Sequence, residues 1–396
     1  MKRIKYINAG AGSGKTYYLT DTFAEHVKNG DCTPSEVIMA TFSEKAAADI
    51  KRNARTRFLE RGLQAEAAQL DTASIGTVHS IAYKYIKKYW YLLGISARCE
   101  VMTDDNKEGY ISSTLENATS VHDIEAFQNF AKTLDLKAPK STRYDYDFWK
   151  KAATDIISKA DSMGISCLDE SHDKSLELID QVCKSHEHFT IIRDCADRIF
   201  EIAKRWGKDF AQYKTDNSLI DYNDMEILFL KMLKEQGFED ARKDISESVK
   251  YVFVDEFQDS NPKQLEIFDL LSDLVVRSYW VGDPKQAIYG FRACDTDLVQ
   301  ALADKIKSYA NERIEGFMTD RLKVSRRSLK PLVEFSNKVF EKIFPEMDPD
   351  DVSLTPYRKE NLPDGIPNLQ HWDGPLQPGK TNKNGEPGTP TLPNKG

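Results

Sequence analysis

Residues 7–16 read INAGAGSGKT; they follow a short apolar run and precede a helical pattern. This order predicts a strand, a glycine-rich loop and a helix. The glycines at positions 10, 12 and 14 allow a tight turn whose backbone N–H groups point inward at a phosphate chain. The N-terminus of the following helix adds a partial positive charge at the same place.

The polar residues of this loop predict a nucleotide site with a divalent cation. Lys15 would reach the β- and γ-phosphates, and Thr16 would hold Mg²⁺ through its hydroxyl. One residue departs from the strict pattern, because Ala9 occupies the place of the first glycine of Gly-x4-Gly-Lys-Thr. The alternative is a glycine-rich turn with a chance lysine, which the flanking strand and helix disfavour. The predicted nucleotide-binding residues are Ala9, Gly10, Ala11, Gly12, Ser13, Gly14, Lys15 and Thr16.

Composition limits the class of protein. A chain of 396 residues with 40% hydrophobic and 30% charged residues is typical of a soluble globular protein of several domains. The net charge of −8 provides no global basic field, so any contact with nucleic acid must be local. The six cysteines include no Cys-x-x-Cys pair, which argues against zinc and disulfides and indicates a cytoplasmic protein. No apolar run approaches the roughly 18 residues of a membrane span, so no membrane partner is expected.

Apolar runs alternate with helical patterns, which predicts an α/β fold with a parallel sheet. Residues 37–42, VIMATF, are continuously apolar, as are strands buried on both faces. Two further strands, 251–254 and 278–281, are followed by Asp255 and Asp283. Ligands of such sheets bind at the carboxyl ends of the strands, where both aspartates fall.

Polar residues after the last two strands predict chemistry. In VFVDEFQD, Asp255 would bind the Mg²⁺ of a nucleotide and Glu256 would polarise the attacking water. In VGDPKQAIYGFRACD, Gln286 offers a neutral hydrogen-bonding group. Tyr289, Phe291 and Arg292 follow it, and aromatic rings beside an arginine suit base stacking and phosphate contact on a single strand. The alternative for the two rings is a core aromatic pair.

These motifs resemble those of the UvrD/Rep-like superfamily 1 DNA helicases, including the RecB/AddA branch. The matches follow the family order from Tyr6 to Phe344 and form a highly specific set. Besides the phosphate loop they are TFSEKAAADIK at 41–51, SIGTVHS at 74–80, DYNDME at 221–226, DEFQD at 255–259, GDPKQAIYGFR at 282–292 and LKVSRRSLKPLVEFSNKVF at 322–340.

The resemblance implies a RecA-like P-loop NTPase sheet with an all-helical insertion and a partial second RecA-like lobe. The amphipathic stretch from 104 to 217 would be the insertion, called 1B. The proline-rich end of the chain is expected to be disordered. The implied domains are the ATP-binding domain 1A at 1–103 and 218–296, 1B at 104–217, the partial domain 2A at 297–360 and a tail at 361–396.

The resemblance also implies roles for single residues. Gln286 would sense the γ-phosphate and link it to DNA, and Arg327 would stabilise transition-state charge from the second lobe. Arg326 stands where the family has an aromatic residue stacked on adenine, and a guanidinium can also stack. The residues implied to line the path of single-stranded DNA are Thr41, Phe42, His79, Tyr289, Phe291 and Arg292. For Phe42 the alternative is a core residue, and for His79 a satisfied hydrogen-bonding group.

The leading interpretation is the motor region of an ATP-dependent DNA helicase that binds Mg²⁺-ATP and single-stranded DNA, or DNA with single-stranded ends, and moves 3′ to 5′. No match to the family's motifs V and VI follows Phe344. The alternative is therefore a nucleotide-gated DNA-binding module with little turnover of its own, which acts with a partner. A nuclease partner is possible, as in the RecB/AddA branch. An unrelated phosphate-loop kinase would leave several motifs unexplained.

Overall fold

The computed structural model describes residues 3–163, 168–286, 296–345, 347–358, 377–379 and 388–391. Within these ranges the chain forms two compact units. The first runs to Ala9 and resumes from Lys15 to Leu322, and the second combines Gly10–Gly14 with the described residues from Lys323 onward. The glycine-rich loop is thus grouped, by its contacts, with the C-terminal part of the chain.

The first unit is built on a six-stranded parallel sheet, which confirms the predicted α/β fold. The strands of the unit are β1 (Ile4–Ala9), β2 (Val37–Thr41), β3 (Ser74–Thr77), β4 (Glu100–Val101), β5 (Leu219–Ile220), β6 (Tyr251–Asp255), β7 (Arg277–Gly282) and β8 (Phe317–Leu322). The order across the sheet is β3-β2-β6-β7-β1-β8, and β4 and β5 form a separate pair. Every residue of β2 and β6 is buried, as expected for strands covered on both faces.

Helices cover both faces of this sheet. They are α1 (Lys15–Lys28), α2 (Glu44–Glu60), α3 (Gln64–Ala68), α4 (Val78–Lys88), α5 (Trp90–Leu93), α11 (Tyr222–Lys234), α12 (Glu239–Ser248), α13 (Pro262–Leu274) and α14 (Thr296–Asn311). Ile7 and Phe23 belong to a core cluster on the face of α1 and α2, whereas Tyr6 and Phe229 belong to a second cluster on the face of α4, α11 and α13. Neighbouring residues of β1 therefore supply opposite cores, which is the period of a strand.

Two local features of these helices depend on single residues. Ser43 caps α2, because its hydroxyl accepts the backbone N–H of Ala46 at 3.2 Å. The helical segment after β3 is interrupted, since α4 ends at Lys88 and α5 begins after Tyr89. Tyr89 leaves helical geometry with its side chain buried in the core, so neither glycine nor proline marks the break.

Five helices of the described part of the chain lie between β4 and β5, where the sequence predicts the insertion. They are α6 (Asp104–Thr114), α7 (Val121–Thr133), α8 (Phe148–Met163), α9 (Leu168–Cys183) and α10 (Phe189–Asp216). Phe127, Trp149 and Trp206 belong to their common core, and the rings of Phe127 and Trp149 stack with centroids 5.2 Å apart. The parallel pairing of β4 with β5 brings the two ends of the insertion together.

The first unit ends with α14 and β8, and β8 pairs with β1 from Phe317 to Leu322. The start of a partial second lobe at residue 297 stays a prediction. The sequence of β8, FMTDRL, lacks the continuous apolar run of a buried strand, because an edge strand can carry polar side chains. The second unit contains α15 (Lys330–Ile343), α16 (Pro349–Val352), the parallel pair β9 (Val324–Leu329) and β10 (Thr355–Arg358), and the antiparallel pair β11 (Gln377–Gly379) and β12 (Gly388–Thr391).

Candidate functional site

The carboxyl edge of the sheet gathers most of the predicted residues. The register aligns Thr41 of β2 with Thr77 of β3, so His79 follows one strand and Phe42 the other. Asp255 ends β6, which is the next strand across the sheet. The strand order then places the end of β7 and the end of β1, with Lys15 beyond it, at the same edge.

A pair of carboxylates lies at the end of β6. Asp255 is 8% exposed, and burial raises its pKa to about 7, helped by the charge of Glu256 and opposed by that of Lys15. Glu256 adopts the left-handed backbone conformation, with φ +50°, which is uncommon for a residue with a side chain. This turn directs consecutive carboxylates differently, and strained backbone of this kind clusters at functional sites.

The predicted phosphate lysine contacts the predicted catalytic base. The Lys15 ammonium and a Glu256 carboxylate oxygen form an ion pair, with the lysine largely buried and the glutamate half-buried. Lys15 is the first residue of α1, and Thr16 follows it in the same turn. Residues 241 positions apart in the chain therefore meet, as the predicted nucleotide site requires.

Gln258 connects Glu256 to the next strand. It is 1% exposed, its amide donates to Glu256 Oε2 at 2.7 Å, and its Oε1 accepts the backbone N–H of Asp283 at 3.0 Å. A Cβ on Gly282 would lie 2.3 Å from Gln258 Oε1 and 2.5 Å from the Phe257 ring, so the position requires glycine. The sequence motifs predict no role for Gln258. The one sequence feature that could have indicated a role is the position of its amide among the carboxylates of DEFQD.

Gln286 is joined to the same network through Asp283. Its amide donates to Asp283 Oδ2 at 2.7 Å, while the Lys285 ammonium lies 2.8 Å from Asp283 Oδ1. Contacts therefore run without interruption from Lys15 through Glu256 and Gln258 to Asp283 and Gln286. The structure brings the predicted lysine, base and γ-phosphate sensor together.

The glycine-rich loop has the geometry of a cradle for an anion. Gly12 and Gly14 have φ of +72° and +96°, and the N–H of Ser13 donates to the carbonyl of Gly10 at 3.1 Å. The hydroxyl of Ser13 is buried and has no hydrogen-bond partner among the described residues, so a phosphate oxygen could accept from it. Ala9 ends β1 fully buried, which accounts for an apolar residue where the pattern has glycine.

Arg326 and Arg327 adjoin this loop within the second unit. The N–H of Arg326 donates to the carbonyl of Gly12 at 2.9 Å, and a Cβ on Gly12 would lie 2.7 Å from the Cβ of Arg327. The guanidinium of Arg326 stacks over the ring of Tyr357, 5.0 Å from its centroid. Both arginines predicted to serve the nucleotide thus lie against the predicted phosphate loop.

The structure describes three of the six residues predicted to contact DNA. Phe42 is 36% exposed and is therefore not the core residue of the alternative interpretation. The hydroxyl of Thr41 is buried with no hydrogen-bond partner in the described part of the chain. The His79 side chain is 27% exposed and is hydrogen-bonded to Glu226, so the alternative of a satisfied histidine holds in part. Tyr289, Phe291 and Arg292 lie outside the described residues.

Comparison with known families decides the relationship. The sequence profile of the UvrD/REP helicase N-terminal domain matches residues 2–307. The chain belongs to the UvrD/REP helicase family. This confirms the resemblance drawn from the motifs.

Among the described residues, no group of three or more His, Cys, Asp or Glu side chains could hold a metal ion by itself, and no described helix is long and apolar enough to cross a membrane.

Known UvrD/REP-like proteins align with most of the chain. The ATP-dependent DNA helicase srs2 of Schizosaccharomyces pombe is 26% identical over 335 residues, which cover 83% of this chain and 32% of that protein. A probable DNA helicase of Mycoplasma pneumoniae is 24% identical over 341 residues, covering 86% and 53% respectively. An ATP-dependent helicase/nuclease subunit from Pediococcus pentosaceus is 21% identical over 531 residues, covering 98% and 42%. The chain thus spans about a third to a half of these relatives.

Proposed function

We propose that this chain is the motor region of an ATP-dependent DNA helicase, which binds Mg²⁺-ATP and single-stranded DNA and moves 3′ to 5′. The observation that carries the proposal is the unbroken set of contacts from Lys15 through Glu256 to Gln286. Relatives named ATP-dependent DNA helicases support the activity. Relatives named as components of a helicase/nuclease support a nuclease as partner.

The residues of the first unit would have separate roles in hydrolysis. Thr16 and Asp255 would hold Mg²⁺, which usually takes one or two carboxylates together with substrate phosphates and supplies charge neutralisation there. Phosphates would compete with Glu256 for the Lys15 ammonium. Release of Glu256 from that pair would free its carboxylate to orient the attacking water and accept a proton from it.

Further proposed nucleotide-binding residues belong to the second unit, which includes Gly10–Gly14 of the loop. The backbone N–H groups of the loop other than that of Ser13, and the buried hydroxyl of Ser13, which has no hydrogen-bond partner among the described residues, would donate to phosphate oxygens. Arg327 would stabilise charge on the transferring phosphoryl group. Arg326, already stacked on Tyr357, would contact the base.

The residues at the ends of β2 and β3 would contact the DNA. The exposed ring of Phe42 suits base stacking, which contributes about 1–3 kcal/mol per base. Thr41 and His79 would hydrogen-bond to the strand. Tyr289, Phe291 and Arg292 remain proposed members of this path on the grounds of sequence.

The proposal is tested by Glu256→Gln, with Glu266→Gln of α13 as the matched control. Phosphate release is measured with and without oligothymidylate, and nucleotide affinity by calorimetry. We expect Glu256→Gln to bind the nucleotide and to lose DNA-stimulated hydrolysis, while the control behaves as wild type. Hydrolysis by Glu256→Gln at the wild-type rate would refute the role of Glu256. Binding of both ligands by wild type without hydrolysis would favour the nucleotide-gated DNA-binding module.

A further inference from the structure

A second buried carboxylate, Glu226, lies outside the nucleotide site. It is on α11, is 3% exposed, and receives hydrogen bonds from three side chains. His79 Nε2 lies 3.1 Å and Gln264 Nε2 2.6 Å from its Oε1, and the Asn261 amide lies 3.2 Å from both oxygens. The Lys263 ammonium is 3.5 Å from Oε2.

The partners of Glu226 lie on two different helices, α4 and α13. His79 lies in the first turn of α4, directly after β3. Asn261 is the N-cap of α13, and Gln264 completes the capping box by accepting the N–H of Asn261. The side chains that begin α13 therefore also hold Glu226. Because α13 follows the turn of Glu256 within a few residues, Glu226 bridges the predicted DNA edge and the catalytic turn.

The charge of Glu226 is maintained by its surroundings. Burial alone would raise the pKa of Glu226, but the hydrogen bond and charge of His79, the charge of Lys263 and the hydrogen bond of Gln264 together lower it. A buried ionic network of this kind is weak evidence for stability, since well-packed apolar side chains often stabilise as much. Its specific effect is geometric, because it fixes the orientation of each donor.

The orientation of His79 is fixed on two sides. Its Nε2 is held by Glu226, and its ring packs on the ring of Tyr222 with centroids 4.8 Å apart. The imidazole nevertheless remains partly exposed at the carboxyl edge of the sheet. It is therefore a positioned group with one accessible side.

We propose that Glu226 is a positioning residue that orients His79 for single-stranded DNA and joins it to the start of α13, so that DNA and nucleotide influence each other's binding. This inference rests on the proposed function, which places His79 on the DNA path. Coupling of this kind is reciprocal, so it can be measured by DNA binding alone.

The test is fluorescence anisotropy with labelled oligothymidylate, with and without Mg²⁺ and a non-hydrolysable ATP analogue. The variant is Glu226→Gln, because glutamine keeps the length but places an amide donor opposite the donors of Asn261 and Lys263. We expect about fivefold or greater weakening of DNA binding and a smaller effect of nucleotide on it, with nucleotide affinity within about twofold of wild type. The control, Glu266→Gln, removes an exposed carboxylate of α13 and should leave all three quantities unchanged.

A double-mutant cycle separates positioning from general stability. If Glu226 acts through His79, the combination of Glu226→Gln with His79→Gln should bind DNA no more weakly than His79→Gln alone. A purely structural role predicts additive losses instead, which would overturn the proposal.

A second variant covers failure of Glu226→Gln to fold. Gln264→Met removes the shortest of the contacts that join Glu226 to the start of α13, at 2.6 Å, and leaves His79, Asn261 and Lys263 on the carboxylate. It should therefore bind DNA normally without nucleotide and show reduced coupling. Wild-type coupling in Gln264→Met, or wild-type DNA binding by folded Glu226→Gln, would overturn this inference alone. If wild type bound no oligonucleotide in either condition, the proposed function itself would fail.

Discussion

Replacement of Gln258 by methionine tests the bridge between Glu256 and the end of β7. Methionine is similar in length and fills the same buried space, so the change mainly removes two hydrogen bonds. The buried N–H of Asp283 would lose its acceptor, which costs about 1–3 kcal/mol, and Glu256 would lose a donor to its charged carboxylate. Water can replace the second bond in part, because Glu256 is half-buried. We expect a total loss of about 2–4 kcal/mol in the free energy of unfolding.

Urea unfolding followed by fluorescence measures this loss, with Gln300→Met as the control. Gln300 lies on α14 and is half-buried, and its amide donates to Asp304 in a solvent-exposed hydrogen bond, so its replacement should change the free energy of unfolding by less than about 0.5 kcal/mol. The rate of DNA-stimulated hydrolysis should fall as well, because Glu256 would lose the Gln258 donor that orients its carboxylate. An unchanged urea midpoint for Gln258→Met would contradict this prediction, since it would mean that the two hydrogen bonds of Gln258 do not stabilise the fold.

Two further predictions concern other buried contacts. Gly282→Ala should lower the free energy of unfolding by about 1–3 kcal/mol in the same assay, because its Cβ would overlap Gln258 and the Phe257 ring; wild-type stability would contradict the described packing. In the helical insertion, burial would raise the pKa of Asp123, but Ser120, Arg198 and Arg205 together lower it. The ionised Asp123 therefore stabilises the fold above the ordinary aspartate pKa, about 3.9, and this stabilisation is lost as the pH falls below that value. The acid unfolding of Asp123→Asn should accordingly depend less on pH than that of wild type.

The sequence was sufficient where local pattern reflects tertiary position. The apolar runs of β2 and β6 are continuous because both faces of the sheet are covered. The glycines of residues 10–14 reflect positive φ and close approach, which few other residues permit. The positions of Lys15 and Glu256 followed from their neighbours in the chain, and their contact followed from the parallel sheet.

The sequence was insufficient where the structure depends on distant partners. The polar edge strand β8 is recognisable only through its pairing with β1. Gln258 and Glu226 look like ordinary polar residues, and their importance arises from donors and acceptors on other elements. The sequence leaves His79 as either a DNA contact or a satisfied hydrogen-bonding group, and in the structure it has both a partner, Glu226, and an exposed side.

We propose that Lys15 binds the phosphates of a nucleotide, and calorimetry of Lys15→Ala tests this role. The titrant is a non-hydrolysable ATP analogue with Mg²⁺, and Lys28→Ala, at the opposite end of α1, is the control. Hydrogen bonds to charged groups contribute about 1.5–3 kcal/mol, so Lys15→Ala should bind about tenfold more weakly or worse, while Lys28→Ala binds as wild type. Equal affinity of Lys15→Ala and wild type would contradict the assignment of the loop and the function built on it.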